Sequence, residues 1–179
     1  MKDSRTAFIW EMIGIGVICG IASLFHFIFE WSGGFEPIGI IGAVNESVWE
    51  HMKIVFWAAF FYAVVEYLSG FRYNTGFLTA KTLSLYLIVI IIPLLFYGYT
   101  ALLGRHILVL DILIMVIAVA AAQLTSWRIM IMKVRNNTIK WVSVAALILI
   151  IAIFSLLTYY PPRIFLFKDM GTGRYGIAE

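Results

Sequence analysis

The chain has 179 residues, of which 63% are hydrophobic and 13% are charged, and its mean hydropathy is +0.96. This small number of polar side chains cannot cover the surface of a globular protein in water. A water-soluble protein is therefore excluded, and a membrane protein is predicted. The formal net charge of +3 is explained by basic loops at one membrane face, and no basic patch predicts a nucleic-acid partner.

Five stretches are long and apolar enough to cross a hydrocarbon core of about 30 Å, which takes roughly 20 helical residues. They cover residues 7–29, 48–69, 82–103, 105–127 and 139–160. The sequence therefore predicts an all-α, polytopic transmembrane helical bundle in a single membrane domain, residues 1–179, with a C-terminal tail at 161–179. The first apolar run is too long for a signal peptide, so we expect it to be retained as a helix.

Basic residues predict the orientation of the bundle, because cytoplasmic loops are enriched in Lys and Arg. One face would carry Lys2, Arg5, Arg72, Lys81, Arg128, Lys133, Arg135 and Lys140, and the opposite face Arg105, Arg163, Lys168 and Arg174. We therefore expect a cytoplasmic N-terminus and an external C-terminus.

The first span carries two polar residues near its outer end. His26 and Glu30 are four residues apart and share one face of the helix. Gly16 and Gly20 lie near that face, in a spacing that allows a neighbouring helix to approach closely. The loop that follows, residues 31–44, is apolar and rich in glycine, so we expect it to lie on the bundle or to re-enter the membrane.

The start of the second span concentrates polar residues in the stretch Asn45-Glu46-Ser47-Val48-Trp49-Glu50-His51-Met52-Lys53. Asn45 or Ser47 is expected to cap the start of the helix, and Glu46 lies near the positive end of the helix dipole, as is typical of a helix start. Capping does not account for Glu50, His51 and Lys53, which lie deeper. An ion pair between Glu50 and Lys53 is a structural explanation for two of them.

The fourth span begins with His106 and carries Asp111 about a turn and a half further in. An aspartate at that depth is expected to face the bundle and to have a partner, because an unpaired charge in hydrocarbon is costly. The candidate partners are His26, His51 and Lys53. All three histidines of the chain are expected at the same membrane face.

Three histidines together with several carboxylates suggest a site for a divalent transition metal such as zinc. The candidate ligands are His26, Glu30, Glu50, His51, His106 and Asp111, with Glu46, Ser47 and Lys53 as further polar residues of the site. An open position on zinc would turn bound water into a nucleophile. The Ser47-xxx-His51 spacing is similar to that of zinc-dependent membrane hydrolases of the ceramidase type, although their seven helices and C-terminal His-xxx-His pair are missing from this sequence.

A second polar set, Glu11 and Glu66, is predicted near the cytoplasmic face. Pairing of Glu66 with Arg72, and of Glu11 with Arg5 or Arg128, is the structural explanation, because long basic side chains can reach such carboxylates from the interface. The functional alternative is a proton or cation path that uses carboxylates near both faces.

Two sequence motifs stand out, the stretch 45–53 and the tail segments Pro161-Pro162-Arg163-Ile164-Phe165-Leu166-Phe167-Lys168-Asp169 and Thr172-Gly173-Arg174-Tyr175-Gly176-Ile177. They resemble a bacterial family of small integral membrane proteins of unknown function. The resemblance covers nearly the whole chain and implies a multi-pass protein of the bacterial plasma membrane, but it implies no activity. If the tail folds back over the external face, Lys168, Asp169 and Tyr175 would lie near the histidines.

Three functions fit these patterns. The first is binding or transport of a cation or small polar solute in a cavity lined by His26, Glu30, Glu50, His51 and Asp111, with Glu46 and His106 at its rim. The second is a metal-dependent, hydrolase-like membrane enzyme that acts on a lipid or amphiphile at the outer leaflet. The third is an accessory subunit of a membrane complex, or a homo-oligomer, whose polar residues lock the helices together and dock a partner.

Overall fold

The computed structural model describes residues 2–132, 134 and 136–177. Met1, Ala178 and Glu179, at the ends of the predicted domain, lie outside the described residues, as do Lys133 and Arg135 of the predicted cytoplasmic face. Five α-helices form the fold, namely α1 (Ser4–Trp31), α2 (Val48–Leu68), α3 (Phe77–Leu103), α4 (Leu108–Ile131) and α5 (Asn137–Tyr159).

All five helices are long and apolar enough to span a membrane, and no β-strand occurs in the described part of the chain. The predicted all-helical fold with five candidate spans is therefore confirmed, whereas the orientation of the termini stays a prediction.

Local sequence explains where the helices begin. The Asp3 carboxylate accepts a hydrogen bond from the backbone N–H of Thr6 at 2.6 Å, and Ser47 Oγ accepts one from the backbone N–H of Glu50 at 3.3 Å. Asn136 caps α5 in the same way. Such caps satisfy N–H groups that the first helical turn leaves without a partner.

Helix α3 starts earlier than expected and ends in a tight link. It begins at Phe77, five residues before the predicted span 82–103, so Lys81 lies inside a helix rather than in a loop. At its other end Gly104 has a left-handed conformation, with φ +70°, and its N–H donates to Thr100 O at 2.8 Å. Glycine adopts this conformation at little cost. Helix α4 begins at Leu108 rather than at residue 105, so His106 precedes the helix instead of lying at its start.

Helix α2 is the centre of the bundle. Its most apolar stretch is 67% buried, whereas the corresponding stretches of the other four helices are 17–28% buried. The Trp49 ring stacks on Phe167 of the tail at 4.4 Å between centroids, and Phe56 stacks on Phe154 of α5 at 4.7 Å. This aromatic packing connects α2 to α5 and to the C-terminal tail.

The loop between α1 and α2 lies on the bundle, in line with its apolar sequence. It contains a short 3-10 helix, Glu36–Ile40, and the N–H of Ala43 donates to Phe25 O of α1 at 3.1 Å. Gly42 sits so close to α1 that an added Cβ would be 2.8 Å from a side-chain carbon of Ile28. The backbone of the loop therefore packs directly against α1, with no room for a side chain at Gly42.

Close packing of α1 depends on a different glycine from the expected pair. Nothing lies within 4 Å of a Cβ added at Gly16 or Gly20, which are exposed, so the expectation that they bring another helix of this chain close is wrong. A Cβ added at Gly14 would lie 2.3 Å from Gln123 Nε2 of α4 and 2.6 Å from the Tyr62 ring of α2. The close approach occurs about half a turn earlier, where α1, α2 and α4 meet.

We expect G14A to lower the free energy of unfolding by about 1–3 kcal/mol, the usual cost of adding a methyl group to a packed core. The Tyr62 ring cannot yield easily, because its hydroxyl donates to Trp10 O at 2.6 Å. Thermal unfolding in mild detergent measures the change, with G16A as the matched control. Equal melting temperatures for the two variants would contradict this packing.

Candidate functional site

A cavity of about 530 Å³ lies between the first four helices, at the end of the bundle that carries the three histidines. Its polar lining residues are Ser23, His26, Glu46, His51, His106 and Asp111, and its apolar lining includes the buried residues Ala22, Val48, Ile54, Val55, Ile92, Phe96 and Ile114. Glu46 and His106 are more than half exposed. The cavity therefore has a polar mouth and a buried apolar interior.

The rim of this cavity also carries exposed apolar side chains. Phe27 of α1 is 45% exposed, and Leu108 and Ile112 of α4 are 70% and 50% exposed. The cavity is thus bordered by exposed apolar side chains on α1 and α4 as well as by its polar mouth.

Three side chains at the mouth converge on a common point. His26 Nε2 lies 3.5 Å from Glu46 Oε1, and His51 Nε2 lies 3.6 Å from Glu46 Oε2. One potential ligand atom from each residue falls within 4.8 Å of the other two. Two imidazole nitrogens and one carboxylate oxygen at this spacing form a set that can hold a metal ion.

The backbone of α2 fixes which nitrogen of His51 is available. His51 Nδ1 lies 2.8 Å from the carbonyl oxygen of Ser47. A carbonyl oxygen only accepts hydrogen bonds, so Nδ1 must carry the hydrogen and, in the neutral ring, Nε2 keeps its lone pair. Nε2 is the atom that faces Glu46. A hydrogen bond of this kind is the usual support of a metal-binding histidine.

His106 and Asp111 form a second polar pair on the α4 side of the cavity. His106 Nδ1 lies 3.5 Å from Asp111 Oδ2, and the hydroxyl of Tyr99 donates to Asp111 Oδ1. Tyr99 Oη in turn accepts the backbone N–H of Ile107 at 3.0 Å. The partners of Asp111 are thus Tyr99 and His106 rather than His26, His51 or Lys53, because Asp111 in the first turn of α4 faces the end of α3.

Glu50 lies away from the cluster, buried in an ion pair with Lys53. Lys53 Nζ lies 2.5 Å from Glu50 Oε2 and donates to Gly39 O at 2.6 Å and to Thr158 Oγ1 at 3.1 Å. The three hydrogens of the ammonium group are therefore all used. Glu50 Oε2 also accepts the N–H of Val44 at 2.9 Å. The pair joins α2 to the first loop and to α5.

The six candidate ligands are consequently divided by the structure. His26 and His51 meet, His106 and Asp111 form their own pair on the opposite wall, Glu50 is taken by Lys53, and Glu30 is exposed near the end of α1. The carboxylate that meets the two histidines belongs to Glu46, which the sequence placed at the rim. Glu46 precedes the helix, so helical spacing could not show where it points.

The tail packs against the segment that carries Glu46. Asp169 Oδ2 accepts the N–H of Glu46 at 2.8 Å, and Asp169 Oδ1 accepts the N–H groups of Gly171 at 2.8 Å and Thr172 at 2.5 Å. Burial alone would raise the pKa of Asp169, but these hydrogen bonds hold it below its ordinary value of 3.8. The carboxylate is therefore ionised at neutral pH and keeps the loop in place.

Other tail contacts strengthen this docking. Asn45 Nδ2 donates to Gly176 O at 2.9 Å, and Met170 lines the cavity. Lys168 and Tyr175 pair with each other through an antiparallel bridge. Of the three tail residues expected near the histidines, Asp169 is the one that contacts the Glu46 segment.

The second polar set meets at the other end of the bundle, around a lysine. Lys81 Nζ lies 2.7 Å from Glu11 Oε1 and 2.5 Å from Glu66 Oε2. The expected pairing of these carboxylates with arginines is therefore wrong. The sequence did not identify Lys81 as the partner, because its pattern placed this residue in the loop before α3. The structure places Lys81 one turn inside α3, where it reaches α1 and α2.

A family model matches residues 1–177 of the chain. The chain belongs to DUF6512, a family of unknown function. No curated protein and no solved structure matches it. The expectation of a family of unknown function is confirmed, while the bacterial origin stays a prediction. Membership in DUF6512 supplies no activity, so a function has to be inferred from the side chains around the cavity.

We expect K53M to lower the free energy of unfolding by about 3–5 kcal/mol, because buried Glu50 would lose its partner. The double variant E50Q/K53M removes both charges and is expected to recover part of this loss. Thermal unfolding in detergent measures both effects, with K168M, at an exposed lysine of the tail, as the control. A loss in K53M no larger than in K168M would contradict the role of the pair.

Proposed function

We propose that the chain is a multi-pass membrane protein that binds a divalent transition metal such as zinc at His26, Glu46 and His51. The observation that carries the proposal is the convergence of one ligand atom from each residue within 4.8 Å at the mouth of a cavity. Imidazole and carboxylate ligands suit zinc. Three protein ligands leave a coordination position for a molecule in the cavity.

The cavity suggests what that molecule is. A volume of about 530 Å³ lies within the range of roughly 300–1,000 Å³ typical of small-molecule sites. The polar mouth would hold the polar end of a solute beside the metal, and the apolar interior would accept a hydrocarbon part. A small amphiphile fits this division better than a fully polar solute.

We favour binding over transport. A transporter needs polar groups that continue across the membrane. Beyond the cavity α2 continues with buried Phe56, Ala58 and Ala59, and the next carboxylate, Glu66, is held by Lys81. An accessory subunit, the remaining alternative, would need neither a metal nor a cavity ligand.

A metal-dependent hydrolase is the second candidate, favoured by the pair on the α4 wall. Zinc would supply an activated water molecule, and His106 or Asp111 could exchange a proton with a lipid or amphiphile held in the cavity. The exposed apolar rim at Phe27, Leu108 and Ile112 suits entry of such a substrate from the bilayer.

The location follows from the basic residues. We propose the bacterial plasma membrane from the resemblance of the two sequence motifs, and a cytoplasmic N-terminus because that orientation places most loop lysines and arginines inside. The cavity and the tail then face outward, and the substrate or solute comes from the outer leaflet or beyond it.

We expect the purified protein, free of a histidine tag, to bind about one zinc ion per chain in isothermal titration calorimetry. Each of E46Q and H51A should weaken binding by at least about 100-fold, since even residues that only support metal ligands contribute about 10–100-fold. The Glu46 side chain is 58% exposed, so the fold should tolerate E46Q.

The matched control is E30Q, which removes the same charge from an exposed glutamate one turn from His26. Zinc binding that is unchanged in E46Q, or lost equally in E30Q, would contradict the proposed ligands. Release of fatty acid from phospholipid by the zinc-loaded wild type but not by D111N would favour the hydrolase over a binding protein.

A further inference from the structure

The end of the bundle opposite the cavity contains a buried charged site formed by four helices. Glu11 of α1 and Glu66 of α2 are each 0% exposed, and Lys81 of α3 is 4% exposed. Ser126 of α4, also 0% exposed, donates a hydrogen bond to Glu11 Oε1 at 2.7 Å. This site has no part in the metal proposal.

The charges of this site do not balance if both carboxyl groups are ionised. Two carboxylates share one ammonium group, and among the described residues no other basic side chain forms an ion pair with either of them. The other facing groups are the Tyr62 hydroxyl, which donates to Trp10 O, and the neutral Gln123 and Ser126. A net negative charge without exposure to water is strongly unfavourable.

The two carboxyl groups differ in the partners that stabilise an anion. Glu11 Oε1 accepts hydrogen bonds from both Lys81 Nζ and Ser126 Oγ, each at 2.7 Å. Lys81 Nζ also lies close to Glu66 Oε2, but within the described part of the chain neither oxygen of Glu66 has a hydrogen-bond partner, whereas Glu11 lacks one only at Oε2. Hydrogen bonds to the charged form favour that form, so Glu11 is the better anion.

We infer that the site binds one proton, which Glu66 holds at neutral pH, while Glu11 and Lys81 form the ion pair. The proton makes the site neutral, with Lys81 as its one cation and Glu11 as its one anion. The same rule explains why Glu50 at the other end needs no proton, because there one carboxylate faces one ammonium group.

Infrared spectroscopy of the protein in detergent at neutral pH tests this inference directly. The wild type should show the carbonyl band of one protonated carboxyl group, which shifts when the protein is transferred to deuterated water. The band should disappear in E66Q. It should also disappear in E11Q, because Glu66 then becomes the sole partner of Lys81 and ionises.

K81M is the complementary variant, because removing the ammonium group should protonate both carboxyl groups and double the band. E30Q, at an exposed glutamate of α1, is the matched control and should leave the band unchanged. The inference is overturned if the folded wild type shows no such band, or if the band survives in E66Q. If E66Q does not fold, survival of the band in E11Q overturns the inference instead. Stabilisation of the wild type by sodium ions without a carboxylic acid band would also overturn it, since a bound cation would then balance the charge.

Discussion

The buried ion pair between Lys53 and Glu50 is the constraint on which the cavity end of the bundle depends. Lys53 also bonds to Gly39 O in the first loop and to Thr158 on α5, and Glu50 accepts the N–H of Val44. A single ammonium group therefore fixes the start of α2 relative to two other parts of the chain. Two buried charges are tolerated only when their hydrogen bonds are complete. The positions of the first loop and of α5 relative to α2 are therefore tightly constrained.

The geometry of the proposed metal site follows from that fixed helix start. His51, one position after Glu50, projects to a different side of α2 and reaches His26 on α1, and the Ser47 carbonyl sets its tautomer. Glu46 precedes the helix and is held from outside by the tail through Asp169. The two sequence motifs are thus one structural unit, in which the first supplies two of the three proposed ligands, Glu46 and His51, and the second holds the loop with Glu46 in place.

The sequence predicted the five long apolar helices, because length and hydrophobicity alone decide them, but not all of their bounds, since α3 begins five residues before the predicted span. It also placed the histidines at one end and anticipated the Glu50–Lys53 pair, which helical spacing permits. Three features were not accessible from spacing within one helix. The direction of Glu46 depends on a loop, the partners of Asp111 depend on how α3 meets α4, and Lys81 reaches Glu11 and Glu66 only through packing of three helices.

The most direct test of the metal site is X-ray diffraction from crystals of the zinc-loaded protein at wavelengths on either side of the zinc absorption edge. The proposed site predicts one strong anomalous peak between His26, Glu46 and His51, with a free coordination position toward the cavity. A peak at His106 and Asp111 instead, or no ordered peak despite bound zinc, would contradict it.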